Sequence, residues 1–238
     1  VRRKAAIGGI TLGAIALAVA ALGVARGWLP VHPLAAHRYD AWGIDVSHHQ
    51  GAIDWAKVAT ERRLRFAYLK ATEGGDFTDP RFLDNWREAR RAGLRVGAYH
   101  FFSFCRPGAE QARHFLAAVP RDADALPPAL DLELGGSCAR RPSRDEVTRE
   151  VASWLAEVER GTGKRPILYA TAESYDLFVR GRELSPPLWM RDVLREPVVV
   201  APHAWVIWQF WPRGRVAGIS GPVDLNAARG DRDVLARP

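Results

Sequence analysis

The segment ALDLEL, residues 129–134, places two carboxylates, Asp131 and Glu133, one residue apart in an otherwise apolar run. Side chains i and i+2 of a strand point to the same side, roughly 6.5–7 Å apart at Cα. Both acids therefore share a face. Facing a helix layer, they would be buried without partners, at a cost on the order of several kcal/mol. Facing the C-terminal mouth of a parallel barrel, they would sit where the active sites of such barrels sit. The Gly-Gly-Ser exit at 135–137 suits a mouth. A buried, salt-bridged pair is the competing use of the same residues.

Two further acids lie at comparable strand ends: Asp45 in WGIDVSHHQG and Asp224 in GPVDLN. Alone, each reads equally well as a turn or cap residue. First and last strands become neighbours when a barrel closes, which would bring Asp45 toward Asp224. Clustered carboxylates raise one another's pKa, and one can stay protonated as a general acid near neutral pH. Glycoside hydrolysis needs this pairing. One acid protonates the leaving oxygen, and a second charge steadies an oxocarbenium-like centre. His48 and His49 stand beside Asp45, and a metal-dependent hydrolase using His48, Asp45, Asp131 and His100 is an alternative. Neither His48 nor His49 lies in a spaced ligand motif, so no metal is expected.

The elements that must position these residues alternate between strand and helix patterns. GIDVS opens the domain, and LRFAYLKAT (64–72) and LRVGAYHFF (94–102) read as strands. Between them DPRFLDNWREARRAG (79–93) reads as a helix, with Asp79 as N-cap, Pro80 at the first helical position and Gly93 at the stop. A helix around GAEQARHFLAAV precedes ALDLEL. SRDEVTREVASWLAEVERGTG (143–163) is the clearest helix. Ser143 and Glu146 suggest a capping box, and Val147, Val151, Trp154, Leu155 and Val158 form a buried stripe. RPILYAT (165–171) is a strand, followed by a short helix near Ser174–Val179. LWMRDV, AWVIWQF and RVAGI are strand-like, with no long helix between them. Repeated βα units imply a parallel sheet with helices outside. About 200 residues without a Gly-rich phosphate loop favour a β/α barrel over a Rossmann sheet.

The chain has 238 residues and is 47% hydrophobic and 26% charged, enough for one sizeable core. Its net charge of +7 comes from Arg scattered over presumed helix faces, with no Lys/Arg block interleaved with aromatics. That pattern argues against a nucleic-acid partner. Arg2, Arg3 and Lys4 precede a charge-free run from Ala5 to Val24. As a helix, that run of ~20 residues spans ~30 Å of hydrocarbon. The positive flank should stay cytoplasmic and the rest be exported, with the segment acting as a signal anchor or a cleaved signal peptide. The expected organisation is residues 1–27 as anchor or signal (transmembrane helix about 5–24), 28–41 as linker and 42–238 as catalytic domain. Localisation is then membrane-anchored outside the cytoplasm, or secreted if the segment is cleaved. Two cysteines in an exported domain suggest one disulfide, contributing roughly 3–4 kcal/mol over its loop.

The ordered motifs GIDVSHHQGAIDW (43–55), FAYLKATEGGDFTDPRF (66–82), AGLRVGAYHFF (92–102), LDLEL (130–134) and WQFWPRGRVAGISGPVDLN (208–226) resemble glycoside hydrolase family 25, the Chalaropsis-type lysozymes or N-acetylmuramidases. The resemblance covers about residues 42–235. It implies an irregular, flattened TIM-like β/α barrel with an acidic groove. It also implies cleavage of the β-1,4 bond between N-acetylmuramic acid and N-acetylglucosamine in peptidoglycan, without a cofactor. By position, Glu133 matches the general acid/base and Asp131 the carboxylate two residues before it. Asp45 and Asp224 match the other groove acids. Retention assisted by the substrate's N-acetyl group is the implied chemistry. Tyr99, Phe102, Tyr169, Trp189 and Trp208 are candidates for the sugar platform, and Lys70, Glu73 and Gln209 for groups that hold the acids. Lys70 and Glu73 could equally pair with each other. The LWMRDVLREP stretch is more charged than the resemblance leads one to expect. Cys105 and Cys138 follow two adjacent expected strands, so their bridge would cross the mouth. Glycan strands of peptidoglycan are the expected partner, the membrane a second through the N-terminal helix, and a monomer the expected state. A catalytically inactive, membrane-tethered glycan-binding protein is the alternative.

Overall fold

The computed structural model describes residues 17–19, 34–136 and 138–230. The chain divides into two compact units, Val1–His32 and Pro33–Pro238. In the first, residues 17–19 are helical. The rest of the expected membrane helix at 5–24 lies outside the described residues. Among the described residues, no helix is long and apolar enough to cross a membrane.

The second unit is a mixed α/β fold around a closed barrel of eight strands. These are β1 (Trp42–Val46), β2 (Leu64–Glu73), β4 (Arg95–Phe101), β5 (Ala129–Leu132), β6 (Ile167–Thr171), β7 (Leu188–Arg191), β8 (Trp205–Gly214) and β9 (Val223–Ala228). The sheet runs β1-β9-β8-β7-β6-β5-β4-β2 and closes through β1–β2, while the two-residue β3 (Phe77–Thr78) pairs with the end of β2. From β1 through β2, β4, β5, β6 and β7 to β8 the pairings are parallel. β9 runs antiparallel to both β8 and β1. That reversal separates this barrel from a regular (β/α)8 repeat. The expected strand at RVAGI does not form. The last strand begins at Val223 and carries Asp224.

Five α-helices are described: α1 (Trp55–Val58), α2 (Phe82–Arg91), α3 (Gly108–Ala118), α4 (Arg144–Thr162) and α5 (Ala172–Phe178). The amide of Glu146 donates to the Ser143 side chain at the start of α4, and Gly163 ends it at φ +69, a left-handed cap that glycine adopts without strain. The Glu146 carboxylate instead takes Arg140 at 2.6 Å, so the expected capping box is not closed. α2 begins at Phe82, later than the sequence pattern suggests. Asp79 is buried and accepts from the amides of Arg81 and His48, both at 2.8 Å. Its carboxylate thus stitches the β1 exit loop to the start of the helix.

Two apolar cores result from strand alternation. The larger lies between strands and helices and includes Trp154, Phe115, Phe102 and Trp208. The smaller fills the barrel and includes Phe66, Tyr68, Ala129, Ile167, Tyr169, Trp189 and Ile207. Rings of this size fit because small residues face them. A Cβ on Gly97 would lie 2.4 Å from the Tyr68 ring, and one on Gly43 would lie 2.3 Å from the Phe66 ring. Residues 34–41 also pack onto this unit. Ala36 is fully buried, the Trp42 indole donates to its carbonyl at 3.2 Å, and the Tyr39 hydroxyl donates to Glu196 at 2.8 Å.

Candidate active site

Most inward-facing rows of the barrel change from apolar to polar along their length; β4, with Arg95, Gly97, Tyr99 and Phe101, is the exception. On β2 the order is Phe66, Tyr68, Lys70; on β5 it is Ala129, Asp131, then Glu133 just past the strand. β6 gives Ile167 and Tyr169, β7 Trp189 and Arg191, and β8 Ile207 and Gln209. The antiparallel β9 presents the same gradient in reverse: Ala228, Asn226, Asp224. The polar ends converge on a pocket of about 320 Å³. It is lined by Asp45, Lys70, Tyr99, Phe101, Asp131, Glu133, Tyr169, Trp189, Arg191, Gln209 and Asp224, with Ser47, His49 and Gln50 at its edge. All four carboxylates open into this one space.

Asp45 and Asp224 are direct register partners across β1 and β9. Burial pushes the Asp45 carboxyl up to about 6, against the opposing pull of hydrogen bonds from Asn226 and Gln209. Burial pushes Asp224 up to about 8, and the charge of Asp45 adds to the effect while Arg191 opposes it. Asp131 is also raised well above the ordinary carboxylate range, by burial first and then by Glu133 and Asp45, with Lys70 opposing. Asp131 Oδ1 is buried and has no hydrogen-bond partner among the described residues. An unpartnered buried carboxylate oxygen is costly unless another group completes it. In an open pocket, water fills that role until a ligand donor replaces it.

Asp45 is the best-braced acid. Its Oδ2 accepts from Asn226 Nδ2 at 2.7 Å and Gln209 Nε2 at 3.1 Å. Both amides are fixed from behind, because the Trp189 indole donates to Asn226 at 2.8 Å and the Tyr169 hydroxyl to Gln209 at 2.9 Å. Two aromatic residues of the wall therefore also orient the amides that hold a carboxylate. Lys70 pairs with Glu73 at 2.6 Å, and its ammonium lies 4.9 Å from the Phe101 ring centroid. Glu73 thus reaches the site through Lys70 and does not line the pocket.

Two expected sugar-platform residues lie elsewhere. Phe102 and Trp208 are buried in the strand–helix core, and the Trp208 indole donates to the Asp192 carbonyl at 2.7 Å. Alternation explains both. Tyr99 and Phe101 share a face, so Phe102 must point away; Gln209 faces in, so its neighbour Trp208 cannot. Phe101 occupies the place expected for Phe102. Asn226 and Arg191 were not singled out from sequence. Asn226 is legible as the residue two after Asp224 on the same face, and Arg191 as the residue two after Trp189.

The metal-dependent arrangement does not assemble. His100 is buried behind the pocket wall, hydrogen-bonded to Thr72 at 2.7 Å and Gln111 at 3.0 Å, and its burial holds it neutral with a pKa of about 3. His48 Nδ1 pairs with Asp79 at 2.8 Å. Among the described residues, no group of three or more His, Cys, Asp or Glu side chains is placed to hold a metal ion. Cys105 and Cys138 form a disulfide with a Cα–Cα distance of 5.7 Å, joining the loops that follow β4 and β5.

The comparisons with known proteins point one way. The model of "Glycosyl hydrolases family 25" matches residues 44–219. Lysozyme M1 of Streptomyces globisporus is 35% identical over 204 residues, covering 79% of this chain and 67% of its own. A protein called YegX of Escherichia coli K12 is 39% identical over 216 residues, covering 88% of this chain and 78% of its own. Among solved structures, a family 25 glycosyl hydrolase from Bacillus anthracis superposes with a TM-score of 0.78 at 38% identity, over 86% of this chain and 96% of that one. The bacterial lysozyme of Streptomyces coelicolor gives a TM-score of 0.73 at 34% identity, over 80% of this chain and 92% of that one. With its acid-lined barrel mouth, this chain belongs to glycosyl hydrolase family 25 and is a glycoside hydrolase of the lysozyme type.

Proposed function

We propose that the chain is an N-acetylmuramidase that cleaves the β-1,4 bond between N-acetylmuramic acid and N-acetylglucosamine in peptidoglycan. The observation that carries the proposal is the position of Asp131 and Glu133 in one pocket, with a carboxylate oxygen of Asp131 left unpartnered. Relatives named lysozyme and N,O-diacetylmuramidase support the substrate class.

Glu133, at the pocket rim, acts as general acid toward the leaving oxygen and then as general base toward water. Asp131 orients the substrate's N-acetyl group, whose carbonyl oxygen attacks the anomeric carbon from the opposite face. The resulting oxazolinium-like intermediate carries positive charge beside Asp131. Burial disfavours the ionised form of Asp131 in the empty pocket, and a cation developing next to it reverses that penalty. The carboxylate is thus stabilised most where the substrate is most cationic, which is the differential binding that accelerates a reaction. Asp45, braced by Asn226 and Gln209, extends the negative field, while Asp224 beside it, raised to about 8, keeps its proton near neutral pH. Tyr99, Phe101, Tyr169 and Trp189 supply the aromatic wall against which sugar rings pack.

The substrate lies outside the cytoplasm, so the chain is exported. The apolar segment at 5–24 serves as its anchor or signal. Proton NMR of the first-formed product tests the stereochemistry, with the β-anomer expected and the α-anomer contradicting assistance by the N-acetyl group. Mass spectrometry of borohydride-reduced digests tests the bond. Reduced muramic acid ends are expected, and reduced glucosamine ends would reassign the specificity.

A further inference from the structure

We propose that the Cys105–Cys138 disulfide is a positioning element for Glu133, so that turnover depends on its oxidised state. The inference rests on Glu133 being the general acid/base. Glu133 lies one residue beyond β5, which ends at Leu132. Its side chain makes no hydrogen bond or ion pair with any described residue. The next residues, Leu134, Gly135 and Gly136, are exposed. Glu133 is half-buried at the pocket wall and feels the charges of Asp45 and Asp131, but with no hydrogen bond of its own its position follows how the backbone that carries it is held. Upstream, that hold is the pairing of Leu132 with Ala170 in β6. Downstream, it is Cys138, a buried half-cystine five residues on, whose carbonyl also accepts from Arg141 at 3.0 Å, with Gly136 between the two packed near the Phe101 ring.

The other half of the bond sits in a braced loop. Gln111 is fully buried in α3. Its Oε1 accepts from the Ser103 amide at 2.8 Å, and its Nε2 donates to the carbonyls of Ser103 and Arg106, both at 2.9 Å. These bonds bracket Cys105. The same loop begins where the Phe102 amide donates to the Asp131 carbonyl at 2.9 Å. The two acids of ALDLEL are therefore held differently. Asp131 is fixed by sheet pairing on both sides, to Phe101 and Tyr169. Glu133 depends on a covalent tie from its own segment to a frame anchored beside Asp131. Releasing that tie frees the acid relative to the carboxylate it must work with. A displacement of about 1 Å can cost on the order of 10²-fold in rate. Cys105 is exposed, so a small reductant has access to the bond. The chain would be nearly idle in a reducing compartment and gain activity in an oxidising one.

The test uses the full chain in three states: oxidised, reduced with dithiothreitol, and reoxidised with oxidised glutathione. Dithiothreitol delivers two electrons and two protons to the disulfide, leaving two thiols and its own cyclic disulfide. Oxidised glutathione takes them back and leaves two reduced glutathione molecules. Thiol titration, far-UV circular dichroism, and kcat and KM on solubilised glycan strands are read in each state. The expected result is two titratable thiols, an unchanged spectrum, KM within about twofold, kcat lower by about 10–100-fold and recovery on reoxidation. The double variant Cys105→Ala/Cys138→Ala should match the reduced chain and ignore both reagents. A reduced chain that keeps its kcat within about twofold overturns the proposal. So does loss of the spectrum in step with kcat, which would make the bridge a staple for the whole fold. An oxidised chain that cleaves no glycan overturns the muramidase assignment instead.

Discussion

Replacing Asp224 with Asn should stabilise the chain, and increasingly so as the pH rises. Asp224 is raised from 3.8 to about 8 because the pocket buries it opposite Asp45. An acid whose folded pKa lies above its unfolded value keeps its proton in the folded state while the unfolded chain has already lost it. The folded state therefore binds more protons between pH ~4 and ~8, and stability falls with pH across that window. The two pKa values set a ceiling of roughly 5–6 kcal/mol on the penalty above pH 8. The exposed side of the pocket screens part of the effect, so about 2–3 kcal/mol is the expected gain. At pH 4 the two chains should differ by less than about 1 kcal/mol, because that pH lies close to the unfolded value of 3.8 and the unfolded chain has lost only somewhat more than half of this proton. Urea unfolding of both proteins at pH 4, 6 and 9 reads the difference directly. A variant whose advantage is the same at all three values, or which is less stable at pH 9, would refute the account of the acid cluster.

Other consequences follow from the same geometry. Phe102→Ala and Trp208→Ala should each cost about 3–5 kcal/mol of stability, because both side chains fill the strand–helix core, while KM for glycan stays within about twofold in protein that remains folded; chemical denaturation and steady-state kinetics separate the two effects. Asn226→Ala removes the donor at 2.7 Å from Asp45 and should push that carboxyl further above about 6. The acid limb of the pH–rate profile should then move up by roughly one pH unit, and an unmoved limb would exclude Asp45 from the titrations that govern rate. EDTA should leave the rate of glycan cleavage unchanged within experimental scatter, and loss of activity restored by a divalent cation would reopen a metal-dependent mechanism.

Much of the architecture was legible because the periodicities are strong. The stripe Val147, Val151, Trp154, Leu155, Val158 identified the long helix, and the βα alternation identified a barrel with a site at its mouth. The four acids were legible as carboxylates at strand ends, and barrel closure implied that Asp45 and Asp224 would meet. The direction of β9 was not legible, since alternation looks the same read in either sense. Only the register along one strand pair, Gly43 with Asn226 and Asp45 with Asp224, reveals that the last strand runs backwards. Phe102 and Trp208 suit a sugar platform by residue type alone, but not by position. An aromatic beside an inward residue has to face out, and the period of two already required that. The Asn226 amide carries no charge of its own, and its role appears only with the Asp45 oxygen it donates to. Asp79 read as a helix cap because its local context fits one, while its partner His48 lies 31 residues away in sequence.

The central claim is that Glu133 is the group that breaks the glycosidic bond, and Glu133→Gln tests it most directly. The substitution keeps size and shape and removes the proton that must be transferred. Purified peptidoglycan should be digested in parallel by the full chain and by the variant, with products reduced by borohydride and weighed by mass spectrometry. The account predicts muropeptides ending in reduced muramic acid from the unmodified chain, and a rate at least about 10²-fold lower from the variant, which still binds glycan. Equal digestion by both proteins would place the chemistry elsewhere in the pocket. Glycan binding without products from either would mean a barrel that holds the polymer and does not cut it.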